Sequence, residues 1–228
     1  MCGRFSLSVN RVEMGKYLEE NYGIETYDEA IELPRYNVAP GQNVISVISY
    51  ENKYRVGLLK WGFVPSFAKN ESAGYKMINA KAETLTEKPA FINSFKHKRC
   101  VVLADGFYEW HRDGKKKTPY RFTHKDKVIF PMAGLWSTYI KPDGTKLYSC
   151  TVITTSANET VESIHNRMPV ILSEDMRKIW LDPEVTDLRK LTDLLTPADK
   201  EVLYAYQVSD GVNKTNNDIP ECIQAIDT

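Results

Sequence analysis

The sequence has no excess charge of either sign: 30 Lys and Arg balance 30 Asp and Glu over 228 residues. Composition therefore does not announce a nucleic-acid partner, and any such site must be a local basic patch. Cysteine is sparse. Cys2, Cys100, Cys150 and Cys222 lie far apart with no CxxC pair. That argues against a zinc centre and a disulfide scaffold, and points to a reducing cytoplasm. No apolar run reaches the about 18 residues of a transmembrane helix, so no membrane partner is expected. Met1-Cys2-Gly3-Arg4 leads into mixed polar sequence without the apolar stretch of a secretion signal. Internal repeats, low-complexity tracts and linkers rich in Gly, Ser or Pro are missing, so a single domain over residues 1–228 is the expectation. The P-loop, GxGxxG, HExxH and GxSxG patterns are also missing, and neither a cofactor nor a metal is expected.

What is present is a globular composition, 42% apolar and 26% charged. Asn10 and Glu13 make a capping-box pattern ahead of a helix over residues 11–22, with Met14, Tyr17 and Leu18 on one face and Gly23 as its stop. Residues 44–50 and 54–59 read as strands joined by a polar turn. A helix is expected over 86–96, with Pro89 in its first turn. Residues 99–110 begin as an apolar run and read as one central strand. Residues 120–123 and 128–132 are expected to form a hairpin, and Asp113-Gly114 and Asp143-Gly144 mark tight turns. Residues 147–154 read as a strand. Ser156 and Glu159 form a second capping box before a helix ending near His165. A strand over 168–172, a helix capped by Ser173 and running through Trp180, a helix over 186–195 and a strand over 202–208 complete the chain. The sum is α+β: a curled, mostly antiparallel sheet or barrel with short helices, not alternating βαβ units.

Cys2 is the first candidate for chemistry. Removal of Met1 would put a free α-amine and a thiol on one residue. Such an aminothiol condenses with an aldehyde to an imine, and the thiol then closes a thiazolidine ring. An internal cysteine cannot do this, because its nitrogen is an amide. Ordinary pKa values of about 8 and about 8.5 leave a minority of either group nucleophilic at neutrality, so a proton acceptor is expected nearby. On position alone, an inert buried cysteine is the stronger reading. Glu109 sits among aromatics in Gly106-Phe107-Tyr108-Glu109-Trp110, where apolar walls would raise its pKa for proton transfer; an exposed strand carboxylate paired with a lysine fits equally well. His165 suits proton transfer near neutrality, or simply ends a helix. Asn79 is an amide that can orient an amine or sugar oxygen, or a turn residue. His97, His111 and His124 lie in basic polar stretches and read as solvated, as does the lysine run 115–117. Arg4, Lys60 and Lys81, interleaved with Trp61 and Phe67, are better suited to a single strand with unstacked bases.

Six ordered motifs bind these pieces together. They are Met1-Cys2-Gly3-Arg4-Phe5, Arg35-Tyr36-Asn37-Val38-Ala39-Pro40, Trp61-Gly62-Phe63-Val64-Pro65, Asn79-Ala80-Lys81-Ala82-Glu83-Thr84, Gly106-Phe107-Tyr108-Glu109-Trp110 and His165-Asn166-Arg167-Met168-Pro169. Val212-Asn213 followed by Asn217-Asp218 adds to them. Over nearly its whole length the chain resembles the SRAP (SOS response-associated peptidase) family, whose members process abasic sites in single-stranded DNA. The resemblance implies a β-barrel-like α+β domain with a basic groove. It implies Cys2 as nucleophile, Asn79 as orienting amide, Glu109 as acid/base, and His165 as the group assisting sugar ring opening and reversal. Arg4, Asn37, Pro40, Thr154 and the segment after Trp61, with Phe67 and Lys81, match positions that hold DNA. The implied partner is single-stranded DNA carrying abasic sites, bound by a monomer acting among replication or repair proteins. Two departures bear on affinity: Phe67-Ala68 stands where family members often carry tryptophan, and Lys81 replaces an arginine, keeping charge but losing the bidentate fork. Three other readings use the same residues. A cysteine peptidase would draw on Cys2, His165 and Asn79 or Glu109, with removal of Met1 as its minimal activity. An N-terminal-nucleophile amidotransferase would need glutamine-binding motifs that are not found. A non-covalent reader of DNA would tolerate loss of Cys2.

Overall fold

The computed structural model describes residues 2–226. Its strands are β1 (Phe5–Leu7), β2 (Arg35–Val38), β3 (Asn43–Tyr50), β4 (Lys53–Trp61), β5 (Asn79–Lys81), β6 (Arg99–Ala104), β7 (Gly106–Asp113), β8 (Lys116–His124), β9 (Phe130–Ile140), β10 (Lys146–Ser156), β11 (Arg167–Pro169) and β12 (Leu203–Gln207). Its helices are α1 (Arg11–Tyr22), α2 (Pro89–His97), α3 (Glu159–Glu162), α4 (Glu174–Leu181) and α5 (Leu188–Asp193). The α+β class with a curled, mostly antiparallel, barrel-like sheet is as the sequence predicts.

Local chemistry sets the helix ends. Asn10 accepts from the amides of Val12 and Glu13, and the Glu13 side chain accepts from the Asn10 amide, so α1 starts at the predicted capping box. It ends at Gly23, whose φ of 64° only glycine adopts without strain. Ser173 caps α4 as expected. The second predicted capping box is displaced by two residues: Asn158, not Ser156, caps α3, because Ser156 still belongs to β10.

Strands β10, β4, β3, β6 and β9 pair in that order, and β9 pairs back to β10, which closes a five-stranded ring without a free edge. Short strands β5 and β11 extend it from β10. A second, open antiparallel sheet has the order β12-β8-β7-β1-β2. β6 is buried on both faces. Val101 and Leu103 join the core under α1, α2 and α4, whereas Cys100, Val102 and Ala104 join a core shared with Phe5, Phe107 and Phe122 of the open sheet.

Two expectations fail here for one reason. Residues 99–110 are two strands in different sheets, broken at Asp105. The Asp105 carboxylate accepts from Ser6 Oγ at 2.6 Å, Ser8 N at 2.6 Å and Arg121 Nη2 at 2.9 Å, and its amide donates to Ser6 O. A Cβ on Gly106 would stand 2.6 Å from Arg121 Nε, so the residue after the break has room only for glycine. Residues 120–123 and 128–132 likewise fall in different sheets. The former pair with β7 and β12, whereas Phe130, Pro131 and Met132 of the latter pair with β6. The hairpins actually turn at Asp113-Gly114 and Asp143-Gly144, as those dipeptides predict. The fold also holds strands β1, β2 and β5, which no sequence pattern singled out.

Candidate functional site

Cys2 lies at the entrance to β1 and is fully buried. Phe5 and Ser6 pair with Phe107 and Gly106, and Tyr108 N donates to Arg4 O at 3.0 Å, which carries the β1–β7 pairing up toward Glu109. Burial pushes the Cys2 thiol up to about 12, with the nearby Glu109 charge adding to the effect. Asn79 arrives from the other sheet. β5 runs parallel to β10, with Asn79 opposite Val152, and Asn79 Nδ2 donates to Cys2 O at 2.7 Å. Its Oδ1 is buried with no hydrogen-bond partner among the described residues. An acceptor left in that state costs about 1–3 kcal/mol, and a donor from a ligand or a terminal amine would relieve it.

Glu109 shares the inner face of β7 with Phe107 and is buried. Burial raises its carboxyl to about 7, partly opposed by the positive charge of Arg112. His165 Nδ1 stands 3.8 Å from Glu109 Oε1. The His165 amide donates to Val161 O at 2.8 Å, and the Arg167 amide donates to the ring Nδ1 at 3.1 Å. Burial lowers the His165 pKa, and the charges of Arg112 and Arg167 add to this. Glu109 and His165 line one cleft of about 510 Å³ together with Trp110, Arg112, Lys117 and Asn213. The four chemistry-bearing residues named from sequence thus converge from β1, β5, β7 and the turn before β11. A larger cavity of about 1080 Å³ lies between β1, β2 and β3 and touches none of them.

The expected DNA-holding residues divide. Asn37, Trp61 and Thr154 are fully buried, and Arg4 nearly so. Each is spent on architecture. Arg4 Nη1 donates to Asn37 Oδ1 at 2.7 Å and Val212 O at 2.6 Å. The Trp61 ring packs 5.2 Å from Phe5, a pair contributing about 0.5–1.5 kcal/mol beyond its burial, and its Nε1 donates to Ile78 O, directly before Asn79. Thr154 O accepts from Arg167 Nη2 at 2.6 Å. Phe67 and Lys81 are exposed and Pro40 is half-buried, so these three keep an outward face.

Sequence reasoning missed Arg112, Lys117 and Arg167 as members of the site. Arg167 grips Glu83 with both nitrogens, at 2.6 and 2.9 Å, and thereby fastens the His165 turn to the segment after β5. Its signal lay inside the His165–Pro169 motif but carried no assigned task. All four cysteines are free. Among the described residues no group of three His, Cys, Asp or Glu side chains is placed to hold a metal, and no helix is long and apolar enough to cross a membrane.

The family model described as SOS response associated peptidase (SRAP) matches residues 1–215. The chain belongs to this family. It is 46% identical over 227 residues to the abasic site processing protein YoqW of Bacillus subtilis (strain 168), covering 99% of this chain and 100% of that protein. To the abasic site processing protein YedK of Escherichia coli (strain K12) it is 28% identical, with 82% of each chain covered. The X-ray structure of a Bacteroides thetaiotaomicron protein matches the fold with a TM-score of 0.86 at 27% identity, covering 99% of this chain and 100% of that one.

Proposed function

We propose that this SRAP protein is a covalent sensor and shield of abasic sites in single-stranded DNA, acting as a monomer in the cytoplasm once Met1 has been removed. The observation that carries the reading is the meeting at Cys2 of a fixed backbone carbonyl, held by Asn79, and a buried carboxyl raised to about 7. The names of the relatives support the substrate class.

The chemistry follows from these positions. His165 helps open the cyclic sugar to its aldehyde. The Cys2 amine adds to C1′, giving a carbinolamine, and Glu109 in its protonated form gives its proton to the departing hydroxyl, which leaves as water. The thiol then gives its proton to the Glu109 carboxylate as its sulfur adds to the iminium carbon, the nitrogen keeps its own proton as a neutral amine, and the thiazolidine closes. The net change is loss of one water. A carboxyl near 7 is half-protonated at neutrality, so Glu109 serves as acid in dehydration and as acceptor for the thiol proton. The same burial drives the Cys2 thiol up to about 12, which runs against a peptidase-type thiolate standing on its own.

The test is direct. Met-trimmed protein is mixed with a single strand bearing one abasic site, then denatured and weighed. The expected adduct has the mass of protein plus DNA minus one water. Cys2→Ala keeps the amine and should give only a reversible imine, and a tag blocking the amine should stop both products. A tagged protein that crosslinks as well as the trimmed one overturns the mechanism.

A further inference from the structure

The hairpin β7–β8 carries a feature that the chemistry above does not use. Arg112 and Lys117 stand directly opposite one another in the pairing register. Like charges in that relation destabilise a sheet. Neither forms an ion pair with a described residue, and both are exposed. Both nevertheless line the cleft that holds Glu109 and His165. Two cations without an ion-pair partner among the described residues, set face to face at the rim of the cleft, are poorly explained by stability and well explained by an anion between them. Arginine offers a planar fork and lysine a point charge, a pairing suited to a tetrahedral oxyanion. The remaining walls, Trp110 and Asn213, are tied to each other by a 2.6 Å bond from the indole N–H and add no negative charge.

We propose that Arg112 and Lys117 form a phosphodiester-binding subsite, which takes the phosphate adjoining the abasic sugar while the sugar lies against Cys2. The proposal rests on the abasic-site reading and deepens it. A strand anchored there has its lesion held beside Glu109 and His165 by charge, with no base required. This suits a nucleotide that has none.

Binding of a fluorescent abasic single strand is followed by anisotropy across a salt series, and adduct formation is followed in parallel. The proteins are wild type, Arg112→Gln/Lys117→Gln and Arg112→Lys. The double variant is expected to weaken binding about tenfold at low salt and to flatten the log–log salt slope by about 1.4, the share of two contacts on a single strand. Arg112→Lys is expected to keep the slope, since charge is retained. Neutral methylphosphonate linkages flanking the lesion should weaken wild-type binding but cost the double variant little further, because both changes remove the same contact. Equal methylphosphonate penalties in both proteins, or an unchanged salt slope in the double variant, would overturn the subsite. Inorganic phosphate at matched ionic strength should not compete. Competition that vanishes in the double variant would reassign the pair to free phosphate and overturn the strand assignment. If wild type binds the strand yet forms no adduct, the covalent reading fails while the anisotropy arms still decide the subsite.

Discussion

At the scale of single residues, Glu109 carries the sharpest consequence. Its carboxyl titrates near 7 in the folded chain, against about 4.5 ordinarily, because burial penalises its charge. The native state therefore binds more protons than the unfolded state between those values, and stability falls as pH rises through that window. The full effect, on the order of 3 kcal/mol, is present above about pH 7. Glu109→Gln removes the ionisation. It should flatten the fall in melting temperature between pH 5 and pH 8, as read by thermal scans, with most of the gain at the alkaline end. The same change should slow adduct formation about 10²–10⁴-fold by removing the proton donor and acceptor. A variant that is stabilised at pH 8 yet crosslinks at the wild-type rate would separate the buried acid from the chemistry. Sequence made this residue visible only as a carboxylate among aromatics. It did not reveal that β1 would pair alongside β7 and bring Cys2 to it, since that depends on strands about a hundred positions apart.

At the scale of elements, the break at Asp105 is the joint that lets β6 close the ring while β7 enters the open sheet. Asp105 and Arg121 form a buried ion pair at 2.9 Å, and Ser6 Oγ accepts from Arg121 while donating to Asp105. Removing one partner of such a pair leaves an uncompensated charge, so Asp105→Ala should cost about 3–5 kcal/mol, measured by denaturant unfolding. Gly106→Ala should cost less, about 1–3 kcal/mol, because the guanidinium must retreat from the new methyl. If both variants unfold at the wild-type midpoint, the joint is not what sets the break. This joint also explains the limits of reading the chain. α1 and the two Asp-Gly turns are written in neighbouring residues, so caps and turn chemistry foretell them. The split of residues 99–110 is written in Ser6, Ser8 and Arg121, and the apolar run conceals it. Short strands such as β5 have only three residues, and their pairing with β10 is a long-range event that no local period records.

At the scale of the whole molecule, the two ends of the chain lock one another. Asn37 Nδ2 lies 2.8–3.1 Å from the carbonyl oxygens of Val212, Lys214 and Asn217, and its Oδ1 accepts from Arg4. Asp218 reaches back to accept from the amides of Tyr36 and Asn37 and from Arg35 Nε at 2.6 Å. Tyr108 Oη donates to Tyr36 O at 2.6 Å and lies 3.3 Å from Cys222 O. The late Val212–Asp218 segment thus braces Arg4 and β2, beside the strand that follows Cys2. Asn37→Ala would take from Arg4 its side-chain acceptor and from the late segment the amide that gathers three of its carbonyls, a loss of about 1–3 kcal/mol. The loss should be regional. Hydrogen exchange is expected to speed up over residues 208–222 and at β1 and β2, while β3, β6 and β9 in the closed ring keep their protection. Adduct formation should fall in the same variant, because Cys2 loses its fixed approach to Glu109 although no reacting group has been altered. Exchange that accelerates uniformly, or a rate of adduct formation that stays unchanged while the segment opens, would mean the C-terminal brace and the reactive N-terminus are independent.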